Sequence, residues 1–200
     1  MVNGWEHRTG ETPYDDLDGF KQFKLYPTPT RQHVDELEEE NIRKTVLKYL
    51  VKKPTRKTAP FDCYWFLSLH KDMYGDVWDW AGKTRTQNTQ IGIDKHEIGE
   101  ALRNLAEDIK NWPEHFDEIE TAARLHHKAV QIHPFKNGNG RWSRLLSQIW
   151  QKQNGYPLTE WPSIVGESPI RDDYLYAVKE ADTLNYDPLI NLHKQYTPNK

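Results

Sequence analysis

The chain has one cysteine, Cys63, and two methionines in 200 residues. A single cysteine excludes an internal disulfide framework and a multi-cysteine zinc site. No apolar run approaches the ~20 residues of a membrane-spanning helix. The longest lies near residues 63–69, and Ser68 interrupts it. The first ten residues are polar and lack the apolar core of a secretory signal. No charge dominates: 27 Lys+Arg against 30 Asp+Glu leaves −3. That balance speaks against a chain built to neutralise a phosphate backbone, so no direct nucleic-acid partner is expected. There is no internal repeat and no low-complexity tract. These absences point to a cytoplasmic protein without a membrane partner. Apolar residues are scarce at 36%, below the usual ~45–50%. The core must therefore be modest, with 8 Trp and 10 Tyr supplying much of it.

At ~150 residues per domain, the length suits one domain with an arm. Residues 1–30 carry Pro13, Pro27 and Pro29 and read as an extended N-terminal arm. Trp5, Tyr14, Phe20, Phe23 and Tyr26 suggest that it packs on the body. From Arg31 the pattern becomes helical, and Val34, Leu37, Ile42, Val46, Leu47 and Leu50 form a rough apolar stripe. Acids fill the first half of this segment and bases the second, complementing the helix dipole. Pro54 follows the end. Further helices are expected over residues 61–74, 95–112, 116–132, 141–154, 169–183 and 188–196. Residues 83–94 alternate weakly and are rich in Thr, Gln and Asn, as in a short β-hairpin flap. The expected fold is mainly α, with that one β excursion.

One stretch carries chemistry: Ile132-His133-Pro134-Phe135-Lys136-Asn137-Gly138-Asn139-Gly140-Arg141-Trp142-Ser143-Arg144. An apolar helix runs into His133, and Pro134 forbids its simple continuation. Two glycines flank Asn139 in a tight loop, and another helix begins at once. Backbone N–H groups at such a start converge on one point with the helix dipole behind them, which makes an anion site. Arg141 and Arg144 are spaced i,i+3 and share a face of the first turn. Two guanidinium groups beside such a nest suit a polyphosphate. His133 enters from the other side, where an imidazole is a natural general base for a hydroxyl nucleophile. His126 and His127 do not extend this into a metal cluster, because adjacent helical residues point to different faces. Trp78 and Trp80 read as core packing.

The stretch resembles the signature of the Fic/Doc (Fido) family, H-P-F-x-[D/E]-G-N-G-R-x-x-R. His133, Pro134, Phe135, Gly138, Asn139, Gly140, Arg141 and Arg144 match it. Leu69-His70, Trp80 to Lys83 and Arg85-Thr86 resemble the segment that leads into the family's flap. Arg171, Tyr174 and Ala177, then Tyr186, Pro188, Leu189 and Ile190, resemble its C-terminal helix. The resemblance covers about residues 60–192 of a domain read as residues 31–200, and the whole-chain layout is similar to the subgroup called mobile mystery protein B. It implies a Fido-type helical bundle and a nucleotidyltransferase that moves AMP from ATP to a Ser, Thr or Tyr hydroxyl of a target protein. On that reading His133 is the base. Gly138, Asn139, Gly140 and Arg141 cradle the phosphates, and Arg144 holds the distal one. Phe135 anchors the loop. Thr86, Gln87, Asn88, Thr89 and Gln90 form a flap that pairs with an extended target segment.

Asn137 departs from the pattern, which has Asp or Glu there. In the family that carboxylate helps hold Mg²⁺. Asn137 is thus the candidate metal position, with a neutral oxygen for a hard cation. Two alternatives stay open at this point: a Fido phosphotransferase or related enzyme with another donor, and a non-catalytic nucleotide-binding module. The family's self-inhibitory motif, [S/T]-x-x-x-E-[G/N], is met in part by Glu40-Asn41, with Glu36 at its first position. Glu40 is therefore the candidate inhibitory residue. The target protein and the oligomeric state are not legible from the sequence.

Overall fold

The computed structural model describes residues 17–162 and 169–198. Trp5, Pro13 and Tyr14 of the expected arm lie outside the described residues. Residues 17–26 do pack on the body. Phe20 is buried against Trp78, with ring centroids 5.4 Å apart, and forms an isolated antiparallel bridge with it. The Lys21 N–H donates to the Val77 carbonyl at 2.9 Å, and the Asp79 N–H to the Gly19 carbonyl at 2.9 Å.

The described residues form seven α-helices: α1 (Arg31–Leu50), α2 (Cys63–Tyr74), α3 (Ile98–Asn111), α4 (Glu118–Ile132), α5 (Asn139–Asn154), α6 (Pro169–Asp182) and α7 (Asp187–Gln195). A 3₁₀ turn, Trp112–Glu114, follows α3. Local chemistry sets several starts. The Asp62 carboxylate accepts from the Trp65 N–H at 2.8 Å, and Asp117 accepts from the Glu120 N–H at 2.8 Å. Thr30 caps α1 in a box closed by His33, while the first turn of α1 holds no acid. Satisfying these orphan N–H groups is what lets each helix begin there.

The antiparallel pair α4 and α5 is the centre of the fold. α1, α2 and α3 pack on one side of it, and α6 and α7 pack mainly against α4 on the other. The main core includes Phe66, Leu69, Leu105, Leu125, Phe135 and Trp142, all with no exposed surface. A second cluster gathers Ala123, Tyr174, Ala177, Ala181 and Leu189.

Two expectations fail. The stripe of α1 is not apolar at its centre. Its buried residues are Val34, Glu38, Asn41, Thr45 and Tyr49, whereas Leu47 is 49% exposed and Leu37, Ile42, Val46 and Leu50 flank the contact half-buried. The reason is what α1 covers. The end of α2 leaves carbonyls without helical partners, and the Asp72 carbonyl accepts from Asn41 Nδ2 at 3.0 Å and Thr45 Oγ1 at 2.7 Å. The second failure is the flap. Residues 83–97 form an irregular loop, and no strand occurs among the described residues. The carbonyls of Gln87 and Ile93, which a hairpin ladder would use, accept instead from the Arg85 guanidinium.

Candidate active site

The motif loop is built by its own residues. Helix α4 ends on His133, whose φ of 50° and ψ of 58° are left-handed. Pro134 disfavours the right-handed helical conformation of the residue before it, so the turn falls on the histidine itself. Asn139 then staples the loop. Its Oδ1 accepts from the Phe135 N–H and its Nδ2 donates to the Phe135 carbonyl, both at 2.9 Å. Phe135 is fully buried, stacks on His70 at 3.7 Å and meets Trp142 edge-on at 5.0 Å. The anchoring role assigned to it holds.

α5 begins at Asn139, two residues earlier than the sequence suggests, with left-handed Gly138 (φ 78°) as its cap. A Cβ at Gly138 would lie 2.6–2.7 Å from the Tyr74 ring. Only glycine permits that approach together with that φ. Gly138, Asn139 and Gly140 therefore make a helix N-terminus without side-chain bulk, but the Asn139 side chain belongs to the loop's scaffold.

The two motif arginines differ. Arg141 Nη1 pairs with Glu38 Oε2 at 2.7 Å, and the other Glu38 oxygen accepts from the Trp78 indole at 2.7 Å. Glu38 is 3% exposed. One edge of Arg141 is thus committed to α1 rather than to a ligand. Arg144 has no carboxylate partner among the described residues; its guanidinium lies 5.3 Å from the Tyr174 ring centroid. Burial lowers its pKa, and the charges of Arg141 and Arg171 act in the same direction. Buried Arg171 of α6 brings a third positive charge to this neighbourhood. The sequence placed it on the right helix without giving it a role.

Glu40 does not reach these arginines. It lies outward on α1, paired with Arg43 at 2.8 Å, and that bond holds its carboxyl below the usual range. Residues 38 and 40 sit ~200° apart around a helix, so Glu38 faces the site and Glu40 faces solvent. The acid of α1 that enters the site is two residues from the expected one.

His133 is 7% exposed. Burial, then the charge of Arg85, pushes its imidazole down to about 4, against a hydrogen bond to the Val130 backbone. It is neutral at neutral pH, the state that accepts a proton. Two residues that sequence reasoning missed hold this region. His70 accepts from the Gly82 N–H on Nδ1 at 3.0 Å, which leaves Nε2 to donate to the Asn137 carbonyl at 3.0 Å. Burial takes His70 down to about 3, so it stays neutral. Arg85, 6% exposed, donates from Nε to the His133 carbonyl at 2.8 Å. In the loop it holds, Thr86, Gln87, Asn88 and Gln90 are exposed and Thr89 is half-buried. Asn88 is tied inward, accepting from the Lys95 N–H at 2.8 Å and donating to Asp94 at 2.8 Å.

The metal expectation meets a poor donor set. Asn137 Oδ1 already accepts from the Gly138 N–H at 2.6 Å, and no group of three or more His, Cys, Asp or Glu side chains converges among the described residues. The described side chains do not make up a magnesium site by themselves, and no step below passes through a metal. The two histidines that the sequence places in α4 are occupied elsewhere: His126 bonds Tyr174 and His193, and His127 bonds Tyr186 and Asp182.

A neutral histidine on a left-handed helix end, a glycine-capped helix start and, one turn on, an arginine without a carboxylate partner among the described residues thus lie together. Residues 60–150 match the model of the Fic/DOC family. That segment is similar to a Fic/DOC-family domain. It is 33% identical over 97 residues to protein adenylyltransferase fic-1 of Caenorhabditis elegans, covering 46% of this chain and 19% of that one. It is 30% identical over 138 residues to protein adenylyltransferase Fic of Nematostella vectensis, covering 65% and 31%. The match therefore spans 19% to 31% of these curated relatives. The fold is that of the Bartonella tribocorum BepC protein with bound AMPPNP, at TM-score 0.67 and 17% identity over 88% of this chain and 91% of that one. Glu38 lies outside residues 60–150, so the matched segment takes a contact from α1.

Proposed function

We propose that the protein transfers AMP from ATP to a Ser, Thr or Tyr hydroxyl of a target protein. The observation that carries the reading is the pairing, within one Fic-type loop, of neutral, buried His133 with the glycine-capped start of α5 and the carboxylate-free Arg144. The curated relatives are named protein adenylyltransferases, and BepC was seen with AMPPNP.

The chemistry assigned to these residues is positioning, electrostatics and one proton transfer. The helix start and Arg144 receive the phosphates, with the charge of Arg141 beside them. The target hydroxyl oxygen attacks the α-phosphorus while His133 takes its proton. The oxygen–phosphorus bond to the target forms, the bond to the β-phosphate bridge breaks, and pyrophosphate leaves. The exposed loop side chains Thr86, Gln87 and Gln90 are the surface offered to the target segment. Asn88 supports that loop instead of reading the target.

The test is transfer from ATP labelled at either its α- or its γ-phosphate into proteins of a cell extract. Label from the α-position on a hydroxyl supports the reading, and His133→Ala should lower it by ~10²–10⁴-fold with folding intact. Label from the γ-position alone would establish a phosphotransferase. ATP binding without either label would establish a nucleotide-binding module.

A further inference from the structure

Arg85 is a buried cation spent on backbone. Residues 83, 84, 86 and 87 are exposed, yet Arg85 is 6% exposed. Its guanidinium donates from Nε to the His133 carbonyl at 2.8 Å, from Nη1 to the Gln87 carbonyl at 2.9 Å, and from Nη2 to the Ile93 carbonyl. Its own N–H donates to the Pro134 carbonyl at 2.9 Å. The nearby carboxylate, Asp94, accepts instead from Asn88 Nδ2 and the His96 N–H, both at 2.8 Å.

We propose that Arg85 is a positioning residue that clasps the loop of residues 87–93 onto the catalytic base, one guanidinium holding both ends of the loop and the His133 backbone. That the loop docks a target rests on the function proposed above; the clasp itself does not. Three features support it. A planar fork with five N–H groups can serve three carbonyls in a fixed arrangement, which an ammonium on a flexible stem cannot. Gly92, near the far end of the loop, is seated against the base: a Cβ there would lie 2.5 Å from the His133 Cβ. Finally, since the guanidinium is bonded to carbonyls, its positive charge is not cancelled at hydrogen-bond distance. It acts on the imidazole and favours the neutral form. One side chain thus closes the loop and adds to the larger effect of burial in keeping the imidazole neutral.

The experiment compares the full chain with Arg85→Met and Arg85→Lys, without nucleotide, by NMR. The order parameters of residues 86–93 report the clasp, and the His133 imidazole titration, assigned with His133→Ala, reports the charge. In Arg85→Met the loop should fall from rigid values near ~0.85 to below ~0.6, and the His133 midpoint should rise by about one pH unit. Arg85→Lys should loosen the loop comparably but shift the midpoint less, because it keeps the charge. A loop as rigid as wild type in both variants overturns the proposal, even if the midpoint moves. If Arg85→Met does not fold, the loop in Arg85→Lys decides. Neither readout needs transfer activity, so failure of the proposed reaction would leave the clasp standing, and the reverse.

Discussion

Helices α1 and α5 deliver opposite charges to the same ion pair, Glu38 and Arg141, by different logics. α5 lies among α1, α2 and α4 and buries Trp142, Leu145, Leu146, Ile149 and Trp150. Its neighbours offer it mainly apolar side chains, and the few carbonyls they present, those of Ala122 and Phe66, take Ser147 and the Trp142 indole. α1 lies over the end of α2, where carbonyls and a carboxylate need partners. It turns inward Glu38, Asn41, Thr45 and Tyr49. Asp72 shows the demand: its carbonyl takes Asn41 and Thr45, and its carboxylate takes Lys48 and Tyr49 at 2.7 and 2.8 Å. The lesson is that the partner surface decides which face of a helix is buried. Apolarity predicts that face only when the partner is apolar.

Substitutions can break this contrast at graded depth. The largest effect is expected where α5 begins. Gly138→Val must adopt a left-handed φ and displace the Tyr74 ring, costing about 3 kcal/mol or more. Urea unfolding should show that loss, and calorimetry should show weakened ATP binding. A wild-type value for both would mean that the start of α5 is not the tight seat described.

Glu38→Gln is next. The amide oxygen can still accept from Trp78, but the ion pair with Arg141 is lost. Arg141 is partly exposed, with 39% of its side chain accessible, so water recovers some of the loss. We expect about 1–3 kcal/mol in urea unfolding. A neutral outcome would make the pair incidental and return α1 to the role of a mere cover.

Thr45→Val keeps the shape and removes one buried hydroxyl from the Asp72 carbonyl. Asn41 still serves that oxygen, so the loss should be near ~1 kcal/mol in the same assay. A gain in stability would show that the polar face of α1 is tolerated rather than required.

Glu40→Gln should do least. The residue is exposed and pairs with Arg43, so the melting temperature and the transfer rate should match wild type. A raised transfer rate would reinstate Glu40 as the inhibitory acid and undo the assignment of the inward face to Glu38.

Much of the site was legible because it is local. His133, Pro134, Asn139 and Gly138 shape the loop through contacts among near neighbours, and those are written in sequence order. The flap was misread because what organises it is not local pairing. Its carbonyls are drawn to Arg85, and its alternation in sequence was too weak to say so. His70 reached Asn137 across 67 positions, with no signal beyond its place in a resembling segment. Arg171 stood in the right helix, but only the packing of α6 showed which charges it joins.

Sequence alone carried the helical class, the left-handed turn at His133 and the glycine-capped helix start after it. Each rests on backbone rules that act within a few residues: proline after histidine, glycine where φ is positive, paired arginines on one turn. Only the packing set which acid of α1 meets Arg141, which motif arginine has no carboxylate partner among the described residues, and what holds the loop of residues 83–97. Those outcomes depend on desolvated partners brought from distant positions. A buried charge or carbonyl takes whichever group the packing supplies, and a one-dimensional pattern does not encode that choice.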